Sequence, residues 1–367
     1  MSLLRESVKI GSKELSIETG RMAKQASGAV VIRAGDTMVL VTAVAASRAR
    51  DEVDFVPLTC DYVEKTAAAG KIPGGFFKRE GRLSEHEILT CRLMDRPLRP
   101  QFPKGWNFET QLIGTVLSVD KENPSDVLAV TGASAALMLS DIHWDGPMAA
   151  IRVGRVNGEL VANPTYSELE TSDINFVVAC SRDAITMVEG NAKEVSENDV
   201  IDALFFAHRA AQPILDVQEK LRAAVGKPKR EFVAAKENEA LTSALKAFAH
   251  EPVKKAMAIS VKQDRYAALD EVKEQVVAEF CAEGKSFAGR DKEIKAAFDA
   301  LKKEHARQLT LETGKRIDGR AHNQIRAISS EVSVLPRTHG SALFTRGETQ
   351  ALVTTTLGTK RDMQRID

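Results

Sequence analysis

GAVVIRAGDTMVLVTAV (residues 28–44) and GSALFTRGETQALVTTT (residues 340–356) align without a gap. Gly28/Gly340, Gly35/Gly347, Thr37/Thr349, Leu40/Leu352, Val41/Val353 and Thr42/Thr354 are identical, and Asp36/Glu348 keeps the charge. Each copy is a β-rich run, a Gly-acid-Thr turn and a second β-rich run, which predicts a strand–turn–strand unit. A shared hairpin pattern alone does not account for so many identities at one offset, so the pair reads as a duplicated domain. The second copy has far fewer residues left to it than the first before Asp367. The expectation is therefore a truncated piece of a longer protein.

Working outward, VKIGSKELSIETG predicts a hairpin about Gly11-Ser12. AAIRVGRVNGELVANP predicts another, with Asn157-Gly158 as a type I′ turn. INFVVACSRDAITMVEG adds two strands across Ser181-Arg182-Asp183. VLAVTGASAALMLSD between them is apolar on nearly every side and rich in small residues, the pattern of a buried helix. From Ser196, an N-cap with acids behind it, helical periodicity takes over, with a kink expected at Pro213. The stretch that follows is rich in Ala, Lys and Glu and short of turn signals. The predicted organisation is a first core domain over 1–225, an all-helical domain over 226–307, and the start of a second core domain over 308–367.

The chain has 51 basic and 51 acidic residues and is 43% hydrophobic, values of an ordinary globular protein. No run of 18 apolar residues suggests a transmembrane helix. The start, MSLLRESVKIGSKELS, carries charge where a signal peptide needs an apolar stretch. Cys60, Cys91, Cys180 and Cys281 are far apart and form no CxxC pair, so they read as reduced cytosolic core thiols. A net charge of zero argues against indiscriminate nucleic-acid binding but permits a local basic patch.

That patch lies between Lys71 and Trp106, where Lys71, Lys78, Arg79, Arg82, Arg92, Arg96, Arg99 and Lys104 face only Glu80, Glu85, Glu87 and Asp95. In GGFFKREGR (74–82) two phenylalanines follow two glycines and run into cations, a poor composition for a core. Ser84 and Glu87 then form a capping box. On the helix it opens, Arg92, Arg96 and Arg99 fall on one face, with Arg99 displaced by the break expected at Pro97. Such a stripe is either a solvated charged face or a phosphate-binding surface. Guanidinium forks suit phosphate oxygens, and paired rings stack unpaired bases. GKIPGG lacks the order of a P-loop, His86-Glu87 lacks the second histidine of a zincin helix, and no GxSxG elbow occurs.

GKIPGGFFKREGR (70–82) followed by RLMDRPLRP (92–100) closely resembles the first core domain of the bacterial polynucleotide phosphorylase family. KRIDGR (315–320) and LPRTHGSALFTRGETQALVTTTLGTKRD (335–362) resemble the opening of its second. The resemblance covers essentially the whole chain. It implies an α+β fold of duplicated ribonuclease-PH-like core domains, mixed β-sheets packed with helices, joined by an all-helical domain, with the second core truncated here. It implies a homotrimer around a channel, in the cytoplasm, with RNA-degradation complex proteins as further partners and KH and S1 domains normally following. The implied activity is processive 3′→5′ phosphorolysis of single-stranded RNA, in which inorganic phosphate releases nucleoside diphosphates with Mg²⁺ or Mn²⁺ assisting, and the reverse reaction polymerises them.

By the same resemblance Phe76, Phe77, Lys78 and Arg79 belong to the loop lining the channel entrance, and Arg82, Arg92, Arg96 and Arg99 to the basic surface beside it. The catalytic set does not carry over. Pro124-Ser125-Asp126 stands where the active copy has a Ser-rich phosphate loop. Leu169 and Asn175 stand at its two metal-binding aspartates, and Asp173 is nearby without a partner carboxylate. The first copy thus reads as a silent RNA guide, with catalytic residues and metal ligands expected beyond Asp367. The alternatives are a non-catalytic RNA-binding or assembly module and a simple ribonuclease-PH-type tRNA-trimming enzyme.

Overall fold

The computed structural model describes residues 3–50, 55–73, 81–232, 238–282, 284–285 and 287–363. The chain divides into two units, Met1–Ala235 and Lys236–Asp367.

The first unit opens with β1 (Leu4–Ile10), β2 (Lys13–Thr19), β3 (Gly28–Ala34) and β4 (Thr37–Ala49), followed by β5 (Leu58–Glu64), α1 (Glu85–Leu98) and β6 (Phe108–Ser118). Then come α2 (Asp126–Leu139), β7 (Ala149–Val156), β8 (Glu159–Ala162), α3 (Tyr166–Thr171), β9 (Ile174–Cys180), β10 (Ile185–Ala192) and α4 (Glu197–Val225). Strands β1 to β6 form one sheet in the order β1-β2-β3-β4-β6-β5. It is mixed, because β5 runs parallel to β6 while the other pairs are antiparallel. Strands β7 to β10 form a second, antiparallel sheet in the order β10-β9-β7-β8.

All of α2 is buried, as its all-round apolar sequence requires. The close approach depends on glycine. A Cβ at Gly28 on β3 meets the Ala136 carbonyl oxygen of α2 at 2.0 Å, and one at Gly132 on α2 meets Val41 at 2.6 Å. The predicted hairpins are present. Asn157 and Gly158 have φ of 51° and 83°, the left-handed pair of a type I′ turn. Ser196 caps α4 in a capping box, and the helix runs through Pro213 unbroken to Val225.

The first unit does not end at residue 225. Residues 226–232 are strapped to it by hydrogen bonds to the end of α2 and to residues flanking β3 and within β4. Lys227 Nζ donates to the Ser27 oxygen (2.6 Å), and Lys229 Nζ to those of Leu137 and Ser140 (2.9 Å each). Arg230 donates to the Ala46 oxygen (2.7 Å) and to Asp141 (2.8 Å). The expected boundary at 225/226 therefore moves to 235/236, because a basic strap without helix or strand has no composition shift to mark it.

The second unit holds α5 (Glu239–Met257), α6 (Lys262–Cys281) and α7 (Asp291–Thr313), then β11 (Ile328–Val332), β12 (Gly340–Arg346) and β13 (Thr349–Thr355). Leu245, Val253, Val276, Phe298 and Leu301 are core residues of the three helices. Helix α7 carries the helical stretch to Thr313, past the expected limit at 307, and Gly314 closes it in the left-handed conformation. His305 on α7 is buried against His250, ring centroids 4.5 Å apart, and burial holds its pKa below the ordinary histidine value.

The repeat is real at the backbone. Gly28 pairs with Ala43 and Ala34 with Thr37 in β3–β4; Gly340 pairs with Thr355 and Arg346 with Thr349 in β12–β13. Gly35 and Gly347 turn the two hairpins with φ of 57° and 63°. The duplicated glycine gives an internal control. Gly28→Ala forces a methyl into α2 and should cost about 1–3 kcal/mol. Gly340→Ala meets nothing nearer than Thr355 Cβ at 3.5 Å and should leave stability nearly unchanged. Urea unfolding of both variants checks the pair.

Candidate nucleic-acid interface

Phe76, Phe77, Lys78 and Arg79 lie outside the described residues. Both flanks of their segment are anchored. Before it, Thr66–Ala69 makes a 3-10 turn closed by Gly70 at φ 68°. After it, the capping box opens α1: Glu87 N–H donates to Ser84 Oγ (3.2 Å) and Ser84 N–H to Glu87 Oε2 (2.6 Å). Glu87 Oε1 also accepts from the Glu64 N–H at 2.7 Å, fastening the start of α1 to the end of β5. Beside it His86 Nδ1 lies 3.2 Å from Glu64, which raises the pKa of His86 and lowers that of Glu64.

The basic residues of this surface divide by what surrounds them. Arg82 and Arg92 are exposed and have no partner among the described residues. Arg96, one turn beyond Arg92, forms an exposed ion pair with Glu189 of β10. Arg99 is clamped. Its guanidinium donates twice to Asp95 (2.9 and 2.5 Å), once to the Val56 oxygen (2.7 Å) and once to the Leu58 oxygen (3.0 Å). Four of its five N–H groups are thereby engaged. The expected stripe is thus corrected at Arg99. The helix ends one residue after Pro97, and Arg99 turns in to hold the start of β5 to α1. Arg92 and Arg96 keep the outer face, and the clamp fixes the helix that presents them.

A second constellation sits at the N-terminus of α2. An unpaired helix start attracts anions, since its N–H groups and dipole favour negative charge. Here the chain fills that place itself. Asp126 Oδ1 accepts its neighbour's Val127 N–H at 2.7 Å, and Oδ2 pairs with Arg152 of β7. Arg152 Nη1 donates to Asn175 Oδ1 of β9 at 2.6 Å. The Asp126 and Arg152 side chains are only 9% and 12% exposed, so the pair is shielded from solvent. Ser125 Oγ shares a hydrogen bond of 2.7 Å with the buried Tyr62 hydroxyl, which also donates to Glu64 (2.8 Å). Half-exposed Tyr166 stands near, its pKa pushed up to about 12 by burial and then by the Asp126 charge.

The residues opposite the family's metal ligands offer no cage. Leu169 belongs to α3, and Asn175 is bound to Arg152. Asp173 is held by Arg155 at 2.9 and 2.5 Å, and that contact lowers its pKa. Among the described residues no group of three or more His, Cys, Asp or Glu is placed to hold a metal ion. The residues here do not fit Mg²⁺ or Mn²⁺, and they leave no free cation for phosphate. Asp126, Asn175 and Asp173 stand out in the sequence, whereas their partners do not: Arg152 binds the first two, Arg155 binds Asp173, and Glu189 pairs with Arg96 of the stripe.

Comparison with known proteins agrees with this architecture. Residues 11–143 match the 3′ exoribonuclease family, domain 1, and residues 146–210 match domain 2 of that family. Residues 240–321 match the polyribonucleotide nucleotidyltransferase RNA binding domain. The chain belongs to the 3′ exoribonuclease family, and within it to the polyribonucleotide nucleotidyltransferases. It is 55% identical over 366 residues to polyribonucleotide nucleotidyltransferase of Sorangium cellulosum (strain So ce56), covering 99% of this chain and 48% of that protein. It is 54% identical over 355 residues to that of Geobacter sp. (strain M21), covering 97% and 51%. The chain thus spans about half the length of the curated relatives it matches.

The filled anion site can be opened. Asp126→Ser leaves the Arg152 charge buried and half-paired, and should cost about 3–5 kcal/mol. Millimolar inorganic phosphate should then raise the melting temperature of Asp126→Ser and not that of the parent. An equal phosphate response in both proteins contradicts occupation of the site by Asp126.

Proposed function

We propose that this chain is the RNA-guiding part of a phosphorolytic 3′→5′ exoribonuclease whose chemistry is carried by residues other than those of its first core domain. The observation that supports the division of labour is Asp126 seated on Arg152 at the start of α2. A carboxylate there repels phosphate and neutralises Arg152. The surface at and just before α1 has the opposite character, with Arg82 and Arg92 exposed.

In the proposed mechanism the loop Phe76-Phe77-Lys78-Arg79 grips single-stranded RNA, the rings stacking bases and the cations holding phosphates. Arg82, Arg92 and Arg96 continue the phosphate track, and Arg99 keeps α1 in place without touching RNA. Inorganic phosphate is the co-substrate, and Mg²⁺ or Mn²⁺ supplies charge stabilisation at the transferring phosphoryl group when bound in the whole enzyme. The whole enzyme is proposed to be a cytoplasmic homotrimer and a partner of RNA-degradation proteins. No helix among the described residues is long and apolar enough to cross a membrane. A non-catalytic RNA-binding or assembly module is what the chain amounts to by itself.

Two parts of one experiment test this reading. Incubated with poly(A), phosphate and Mg²⁺, the chain should release no ADP. In binding of long single-stranded RNA across a salt series, Phe77→Ala should weaken affinity by about 1–3 kcal/mol with the salt slope unchanged. Arg79→Ala should reduce the log–log slope by about 0.7, the value of one phosphate contact on a single strand. Sustained ADP release, or parental binding by Phe77→Ala, contradicts the guide reading.

A further inference from the structure

The arginines on and just after α1 are graded: Arg92 is open, Arg96 is paired with one exposed carboxylate, and Arg99 is locked by four hydrogen bonds. The middle case has the geometry of an exchangeable contact. Glu189 lies 93 residues away in sequence, on β10, and reaches across to Arg96 with both side chains about half exposed, at 58% and 47%. Burial is too slight for the pair to be needed in the core. An ion pair this exposed is worth about 0–1 kcal/mol, so another anion can replace either partner at little cost. In β10 the residues from Val188 to Ala192 are all exposed, so Glu189 sits on the open surface from which a strand would approach. No other carboxylate is bound to Arg96 among the described residues, although Asp95 is its neighbour, because Asp95 is taken by Arg99.

We propose that Glu189 is a built-in competitor for the RNA backbone, displaced from Arg96 by a phosphodiester each time a strand occupies this face. The inference rests on the reading of α1 as an RNA surface and adds a regulatory element to it. Arg96 then contributes a weak, renewable phosphate contact rather than a fixed one. A strand that must advance past the site benefits, because Glu189 takes Arg96 back when a phosphate leaves. Arg92, with nothing to displace, provides the steadier contact one turn earlier.

The test is a double-mutant cycle read by binding of a single-stranded oligoadenylate to the protein at low and moderate salt. Glu189→Gln should tighten binding about two- to fivefold, the exchange value of an exposed pair at 1.4 kcal/mol per tenfold. Removing any acid from a nucleic-acid surface raises affinity somewhat, so two controls separate competition from general charge. Glu85→Gln removes an exposed acid of α1 that holds no arginine, and should give a smaller gain. In an Arg96→Met background the gain from Glu189→Gln should fall to the size of the Glu85→Gln gain, since no arginine remains to be released. A gain that persists undiminished in that background, or no gain in the parent, overturns the competitor. If Arg92→Ala and Arg96→Met weaken binding while Glu189→Gln does nothing, the RNA surface stands and only the competitor fails. If neither arginine substitution changes affinity, the RNA reading of α1 fails with it.

Discussion

A helix apolar on every side persists in water only when it is enclosed, and Asp126–Leu139 is such a helix. The six-stranded sheet covers it along β3 and β4, and α4 and the second sheet close the remaining sides. Glycines at positions 28 and 132 set how near the strands come. Lys229 of the strap 226–232 takes up carbonyls at the helix's C-terminal end. At its N-terminal end Asp126 accepts the Val127 N–H and pairs with Arg152, so a carboxylate of the chain itself sits where an anion would be drawn. The fold thus creates an anion site by construction, and the sequence closes it with a single carboxylate.

On the proposed reading, closing that site separates binding from chemistry in the first unit. Arg152 is turned inward to Asp126 and Asn175, while Arg82 and Arg92 stay on the outside. Both arrangements use arginine, and burial decides between them. A guanidinium 12% exposed needs a counter-charge beside it, which Asp126 supplies, and one in water can wait for a ligand. Asp95 makes the same distinction within α1 by drawing Arg99 into the β5 clamp.

Local structure was legible in the sequence wherever its cause is local. The hairpin turns at Gly35 and Asn157-Gly158, the capping box at Ser84, the N-cap at Ser196 and the buried helix all follow from residues within a few positions of one another. The duplicated hairpin was legible too, because six identities at one offset need no knowledge of contacts. Partnerships over long separations were not. Arg96 with Glu189, Arg152 with Asp126 and Arg99 with the Val56 and Leu58 carbonyls are set by how sheets and helices stack, so an arginine stripe looked uniform when it is not. The parallel pairing of β5 with β6 was equally silent, since nothing in either strand names its neighbour. The strap after α4 escaped notice because its lysines act on distant carbonyls rather than on a pattern of their own.

Photocrosslinking tests the central claim, that the first unit carries RNA on the loop and α1 face and keeps it away from the Asp126 cleft. Single-stranded RNA with 4-thiouridine spread along its length is bound to the protein, irradiated, digested and mapped by mass spectrometry. Within the first unit, crosslinks should fall in the segment from Lys71 to Arg96, with Phe76 and Phe77 foremost. Crosslinks in that unit confined to Tyr62, Tyr166 and the strands bearing Arg152 and Asn175, with none in the loop, would contradict the account.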